Sequence, residues 1–292
     1  MELGRLGVWT WAFDQNPWPA VRDAVVEIEE LGYGTVWFGE AAGRDAPTQA
    51  ALLLSATSRL VVAPGIANVY RRPPEAMAQA ERTLAEAFPG RFVLGLGVGA
   101  PFIAGDRWRP PIQMMEEYLT AMDKARLTGP AAASSPRVLA ALKPRMLRLA
   151  GERTWGAHPY LMPVEHTAYA REIVGPEAVL AVHQSVVLEP DRTKAREIAR
   201  ARLSGFVAAI ELLPSRWEMI RKLRGFDESD LKDGGSDRLI DALTVAGDVQ
   251  TIAARIEQQF QAGATHVCIG VSTTSEVPEL ALPALRELAA LT

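Results

Sequence analysis

The sequence predicts a single (β/α)₈ barrel, one domain spanning residues 1–292. Continuous apolar runs alternate with helix-period segments from end to end, and there are eight such runs. Several runs are apolar on both faces, which is the pattern of buried parallel strands. An open doubly wound sheet also alternates, but it more often splits into halves, and no linker separates halves here.

The strands are expected at RLGVWTW (5–11), GTVWFGE (34–40), RLVVAPGI (59–66), RFVLGLGVG (91–99), RVLAAL (137–142), GAHPYL (156–161), VLAVHQSVVL (179–188) and THVCIGV (265–271). Between them, 19–31 places Val21, Val25, Ile28 and Leu31 on one helical face. Segment 73–87 opens on Pro73-Pro74-Glu75, repeats Met77, Ala80, Leu84 and Ala87, and stops at Phe88-Pro89-Gly90. Helices at 167–174 and 249–261 stop at Gly175-Pro176 and Gly263.

Two connections are longer than a helix needs, after strands four and seven. Residues 100–136 hold a polar loop, a helix near 111–127 and the linker GPAAASSP. Residues 189–264 hold a long charged helix, a segment at 214–224 and the loop DESDLKDGGSD (227–237). Insertions after strands lie at the catalytic end of a barrel, so 101–112 is expected as a lid. The loop 227–237 reads as flexible decoration or a second lid.

Composition narrows the functions. About half the residues are apolar, net charge is −4, and no long basic run exists, which argues against nucleic-acid binding. Cys268 is the only cysteine, so neither a disulfide nor a cysteine-rich metal site is expected. No HExxH or paired His–carboxylate spacing is present, and no GxSxG. No apolar stretch approaches the ~18 residues of a membrane span, and no signal peptide precedes the first strand, so a cytoplasmic protein is expected.

On a barrel the residues that carry chemistry stand at C-terminal strand ends. Glu40 ends an all-apolar run and must face the mouth or pair with an arginine. Trp9 and Trp11 alternate, so one is expected in the pocket and the other in the core. GLGVG (95–99) is not a GxGxxG fingerprint; its glycines either let a flat ring approach or pack a crowded barrel. His183, His266 and Cys268 read as packing residues, whereas His158 and His166 flank a strand end and are candidate ligand contacts. In VVAPGIANVYRRPP (61–74), Pro64-Gly65 breaks a core strand just before Asn68 and Tyr70.

Those features together resemble the bacterial luciferase-like family, and within it the branch using the deazaflavin coenzyme F420. The resemblance rests on the third-strand bulge followed by Tyr70-Arg71-Arg72-Pro73 and on PGRFVLGLGVG (89–99). It extends through GYGTVWFGEAAGRDA (32–46), ALKPRMLRLA (141–150), GAHPYLMPVEHTAYAREIVGP (156–176) and GDVQTIAARIEQQFQAGATHV (247–267). It implies a non-proline cis peptide at Gly65-Ile66 behind the cofactor ring, flanked by Ala67, with Gly97 and Gly99 nearby. It also implies a phosphate site at Ala140, Ala141 and Lys143 and at Tyr160, Leu161 and Met162, with His166 adding charge and the helix after Pro144 offering free N–H groups.

Glu40, Asn68 and His158 are then the candidate catalytic groups, and Trp11, Tyr70 and Trp108 the candidate substrate contacts. Ala41 and Ala100 stand where some deazaflavin members carry a histidine and a glutamate, which sets the chain apart from that family's sugar-phosphate dehydrogenase activity. The implied function is hydride transfer between F420 and a small organic molecule. An FMN-dependent monooxygenase and a non-catalytic ligand-binding barrel are the alternatives. A homodimer is implied by resemblance alone.

Overall fold

In a computed structural model, residues 1–130, 135–210, 213–273 and 280–292 are described. Ten strands form one all-parallel sheet: β1 (Leu6–Thr10), β2 (Thr35–Phe38), β3 (Val61–Pro64), β4 (Ala67–Asn68), β5 (Leu94–Gly97), β6 (Arg137–Leu139), β7 (Gly156–Ala157), β8 (Val179–Leu188), β9 (Thr244–Gly247) and β10 (His266–Val271). Their order is β3-β2-β1-β10-β8-β7-β6-β5-β4. β3 and β4 are two halves of one strand: the first pairs with β2, the second with β5. A further parallel bridge from Val62 to Phe92 closes the barrel at this joint. Each of the eight predicted runs contains a barrel strand, and β9 is an addition lying beside the end of β8. Sequence reading missed β9, a four-residue strand with too few alternations to register inside a charged insertion.

The two-face apolarity has a direct cause. Inward residues Trp9, Trp37, Ala63, Val138, Ala181 and Cys268 fill the barrel, while outward residues such as Val36, Val62 and Val182 pack under the helices. Trp9 and Trp37 sit opposite each other in register, as do Trp37 and Ala63, so large and small side chains share a layer. Cys268 is buried core, with Sγ against the Val182 carbonyl.

The surrounding helices begin with α1 (Ala12–Gln15), α2 (Trp18–Glu30), α3 (Ala46–Ala56), α4 (Pro74–Ala87), α5 (Pro101–Ala104), α6 (Pro111–Asp123), α7 (Pro144–Arg153) and α8 (Val164–Val174). α4 buries Met77 and Leu84 as expected, but turns Glu81 rather than Ala80 inward. Glu81 is held there by Arg137, at 2.8 and 2.6 Å, which satisfies the buried carboxylate. The linker at 129–136 lies partly outside the described residues.

The segment after β8 builds a second small core over the barrel mouth. α9 (Arg192–Ala209), α10 (Pro214–Arg224) and α11 (Asp237–Leu243) bury Leu203, Val207, Trp217, Ile220, Leu239 and Ile240 against Leu161 and Met162. The chain then runs through α12 (Val249–Gln261) and α13 (Leu282–Leu288). Within 227–237, Asp227 and Asp230 form a reciprocal capping box, and Arg238 clamps the buried Asp230 at 2.5 Å. The expectation of a merely flexible loop is therefore corrected: its acids Asp227, Asp230 and Asp237 are spent on caps within the loop and on Arg238, Arg196 and Arg200 beside it. No described helix is long and apolar enough to cross a membrane.

Candidate active site

A cavity of about 380 Å³ opens at the C-terminal ends of the strands. Its floor includes Gly65 and Ile66, whose peptide bond is cis, as the resemblance implied. Its walls bring Glu40, Asn68, Gly99, Ala140, Ala141 and Lys143 together with His158, Tyr160 and Trp11. Ile103 from α5 also lines it, so part of the expected lid reaches the mouth.

Trp9 and Trp11 both line the cavity, contrary to the alternation expected of a strand. β1 ends at Thr10, and Trp11 adopts a helical conformation at the start of α1, so the two-residue period stops between them. Their rings meet edge to face at 4.9 Å. Both indoles lean on the same wall.

Several predicted groups are committed elsewhere. Glu40 accepts from the Ala46 and Asn68 amides at 3.0 and 2.8 Å and from both ends of the Arg72 guanidinium. Every lone-pair direction facing protein is used, so this carboxylate braces the mouth and has no free oxygen with which to shuttle protons. His158 accepts from Trp9 Nε1 at 3.2 Å and contacts the Ala181 carbonyl through Nδ1 at 2.8 Å. Burial lowers its pKa to about 4, so it is neutral and doubly bonded. Asn68 spends Oδ1 on the Tyr70 amide at 2.8 Å, and its remaining amide end faces Gly99.

His166 is fully buried, bonded to the Leu142 carbonyl at 2.8 Å, and kept neutral by burial with a pKa of about 4. It supplies no charge to the cavity; it fixes the loop that leads into α7. Tyr70 and Trp108 lie outside the cavity, packed on each other at 5.9 Å, and the Tyr70 hydroxyl accepts from the Arg109 amide. Neither of these expected substrate contacts lines this cavity; Tyr70 lines an adjoining pocket with Glu40 and Ile103. Ala67 is buried within β4, Leu161 carries its carbonyl toward Arg216, and Met162 packs into the second core.

The glycines divide by role. A Cβ on Gly97 would stand 2.6 Å from Ile66 Cγ1, so Gly97 makes room for the bulge side chain and not for a ring. On Gly65 a Cβ would point down into the barrel, 2.8 Å from Trp9 Nε1 and 2.9 Å from His158 Nε2. Gly99, at φ +64°, does reach the cavity.

Sequence reading missed Arg216. It stands in the first turn of α10 and reaches back to the barrel, donating through Nη2 to the Tyr160 and Leu161 carbonyls. Burial lowers its pKa to about 10, which leaves it a cation at neutral pH. No carboxylate pairs with it among the described residues, and its Nε has no partner there. Lys143 lines the same end of the cavity, at the N-cap of α7, where no side chain caps the first-turn amides. This end therefore carries two cationic side chains beside an uncapped helix N-terminus. A proline-started helix with an arginine in its first turn was the only sequence signal, and many surface helices share it.

Tyr160 is a mouth hydroxyl with a proton to give. Its oxygen accepts from Trp11 Nε1 at 3.3 Å, and burial raises its pKa, so the phenol stays protonated.

Residues 5–266 match the family model described as luciferase-like monooxygenase. The chain belongs to the luciferase-like family. Among curated relatives of this luciferase-like chain, one named as a coenzyme F420-dependent oxidoreductase of Mycobacterium tuberculosis is 33% identical over 172 residues. That match takes in 57% of this chain but only 46% of the relative's length. A 5,10-methylenetetrahydromethanopterin reductase of Methanolobus tindarius is 25% identical over 289 residues, covering 83% of this chain and 87% of the relative. In fold, the chain is similar to an F420-dependent secondary alcohol dehydrogenase solved with an F420–acetone adduct: TM-score 0.78, 17% identity, covering 100% of this chain and 98% of that one.

Proposed function

We propose that this luciferase-like chain is an oxidoreductase that binds coenzyme F420 in the 380 Å³ cavity and exchanges a hydride with a small organic substrate. The observation that carries the reading is the polarity of the cavity: an apolar floor and wall at one end, an unpaired arginine and an open helix N-terminus at the other. A flat ring joined to a phosphate has that same division. The name of one curated relative, a coenzyme F420-dependent oxidoreductase, agrees with it.

Within this reading Ile66, Gly99 and Ala140 flank the ring, and Arg216, Lys143 and the α7 amides hold the phosphate. F420 supplies the two-electron hydride chemistry when bound. Trp9 and Trp11 exclude water from one side, and Tyr160 offers a neutral hydroxyl to a substrate oxygen. Glu40 and His158 hold the walls in place.

The test is a direct titration of the purified protein with F420, followed by deazaflavin fluorescence, with FMN in parallel. F420 is expected to bind at least tenfold more tightly than FMN, and Arg216→Met to weaken it by about tenfold or more through loss of a charge-assisted contact. Tight FMN binding with no response to F420 would replace the reading with a flavin monooxygenase.

A further inference from the structure

Trp9, Trp11 and Tyr160 have a second open face. Behind them lies another cavity, of about 310 Å³, at the ends of β1, β8 and β10 and roofed by α9. The two cavities share only these three aromatic residues, so the same wall would touch ligands on both sides. Of the residues missed or set aside by sequence reading, His183 and Arg202 both open here.

The lining has a consistent chemistry. Among the described residues no aspartate or glutamate lines this cavity, and one arginine does. Arg202 donates from Nε to the Thr273 carbonyl at 2.9 Å, which fixes the plane of its guanidinium. Its neighbours along α9, Arg196 and Arg200, are both ion-paired with Asp237, but Arg202 has no carboxylate among the described residues. Nη1 and Nη2 thus remain as a free fork, the geometry that matches a carboxylate.

Two more polar groups at this cavity lack partners. His183 is 5% exposed and kept neutral by burial, and its Nδ1 has no hydrogen bond among the described residues. Thr273 Oγ1 is buried and unpartnered in the same way. Ser185 accepts from the Thr244 hydroxyl at 3.1 Å, which leaves its own proton available. Buried polar atoms are rarely left unsatisfied unless a ligand or water meets them. Opposite them stand Leu203, Phe206 and Val271 beside the tryptophans.

We propose that this second cavity is a separate binding site for a small carboxylic acid with an apolar body, its carboxylate held by Arg202. This site shares the aromatic wall of the first cavity but does not depend on the F420 reading of it, and its binding is tested apart from it. Phenolic or alcoholic ligands would leave the guanidinium fork unmet, and an anion without an apolar body would leave the aromatic wall unmet.

The experiment is calorimetric titration of the full chain with benzoate, with its neutral isostere benzamide, and with phenyl phosphate. Benzoate is expected to saturate at one site, at least tenfold more tightly than benzamide. Arg202→Gln should weaken benzoate about tenfold or more and leave F420 affinity within twofold, with Arg202→Lys falling between. Thermal melting of each variant confirms that it is folded. Equal binding of benzoate and benzamide, no saturable heat, or an unchanged Arg202→Gln would overturn the proposal, and tighter phenyl phosphate would overturn the carboxylate. Loss of benzoate selectivity with F420 binding intact removes this inference alone. Failure to bind F420 with benzoate selectivity intact removes the cofactor reading and leaves the acid site.

Discussion

Arg72 closes on Glu40 at the rim of the barrel: Nη1 donates to Oε2 at 3.2 Å, Nη2 reaches Oε1, and the same Nη2 meets Asp45 at 2.6 Å. The Glu40 side chain is 1% exposed and that of Arg72 12%. With the Ala46 and Asn68 amides on the same carboxylate, one residue ties the end of β2 to β4, α3 and the turn before α4.

Glu40→Ala removes four acceptor contacts and leaves Arg72 with Asp45 alone. A stability loss of about 2–4 kcal/mol is expected, below the full cost of stripping a buried pair because Asp45 remains. Glu40→Gln keeps the shape and one good acceptor, so it should lose less. Urea midpoints at constant m-value measure both; an unchanged midpoint for the alanine variant would show that the brace contributes nothing.

All four histidines are buried. Burial lowers His158, His166 and His266 to about 4 and holds His183 well below its ordinary value, against about 6.5 in the unfolded chain. Below pH 6.5 the unfolded state takes up protons that the folded state refuses, so stability is lost as pH falls from about 6.5 toward 4. Each histidine adds a slope of up to about 1.4 kcal/mol per pH unit. Urea midpoints at pH 7, 6 and 5 should fall steadily; a flat profile would mean that the histidines titrate alike in both states.

Gly65→Ala places a methyl group 2.8 Å from Trp9 Nε1 and 2.9 Å from His158 Nε2, two atoms already bonded to each other. The Trp9–His158 contact must open or the backbone must shift, at a cost of about 1–3 kcal/mol. Near-ultraviolet circular dichroism should report the displaced indole together with the lowered melting temperature. A native spectrum and unchanged melting would show that the barrel interior yields without cost.

The barrel was legible because its signals are local. A strand buried on both faces reads as an apolar run, and a helix start reads as proline and acid in the first turn, as at Pro73-Pro74-Glu75. The bulge at Gly65-Ile66 was legible for the same reason, as a proline–glycine break inside such a run. The roles of the polar residues were less so. Glu40 read as either a site acid or half of an ion pair, and only the position of Arg72, 32 residues away, decided for the pair. Trp11 escaped the alternation rule because the strand ends one residue before it.

By itself, the sequence determined the order of the eight barrel strands, the place of the break in the third strand, and the absence of local metal and nucleophile motifs. Tertiary structure alone decided which polar groups remain free. Arg216 finds the Tyr160 carbonyl across 56 residues, and Arg202 the Thr273 carbonyl across 71. The physical reason is that a hydrogen-bond partner is fixed by packing, whereas periodicity and propensity act over a few residues. Arg216 at the first cavity and Arg202 at the second both belong to the segment after β8, where the chain folds back over its own mouth.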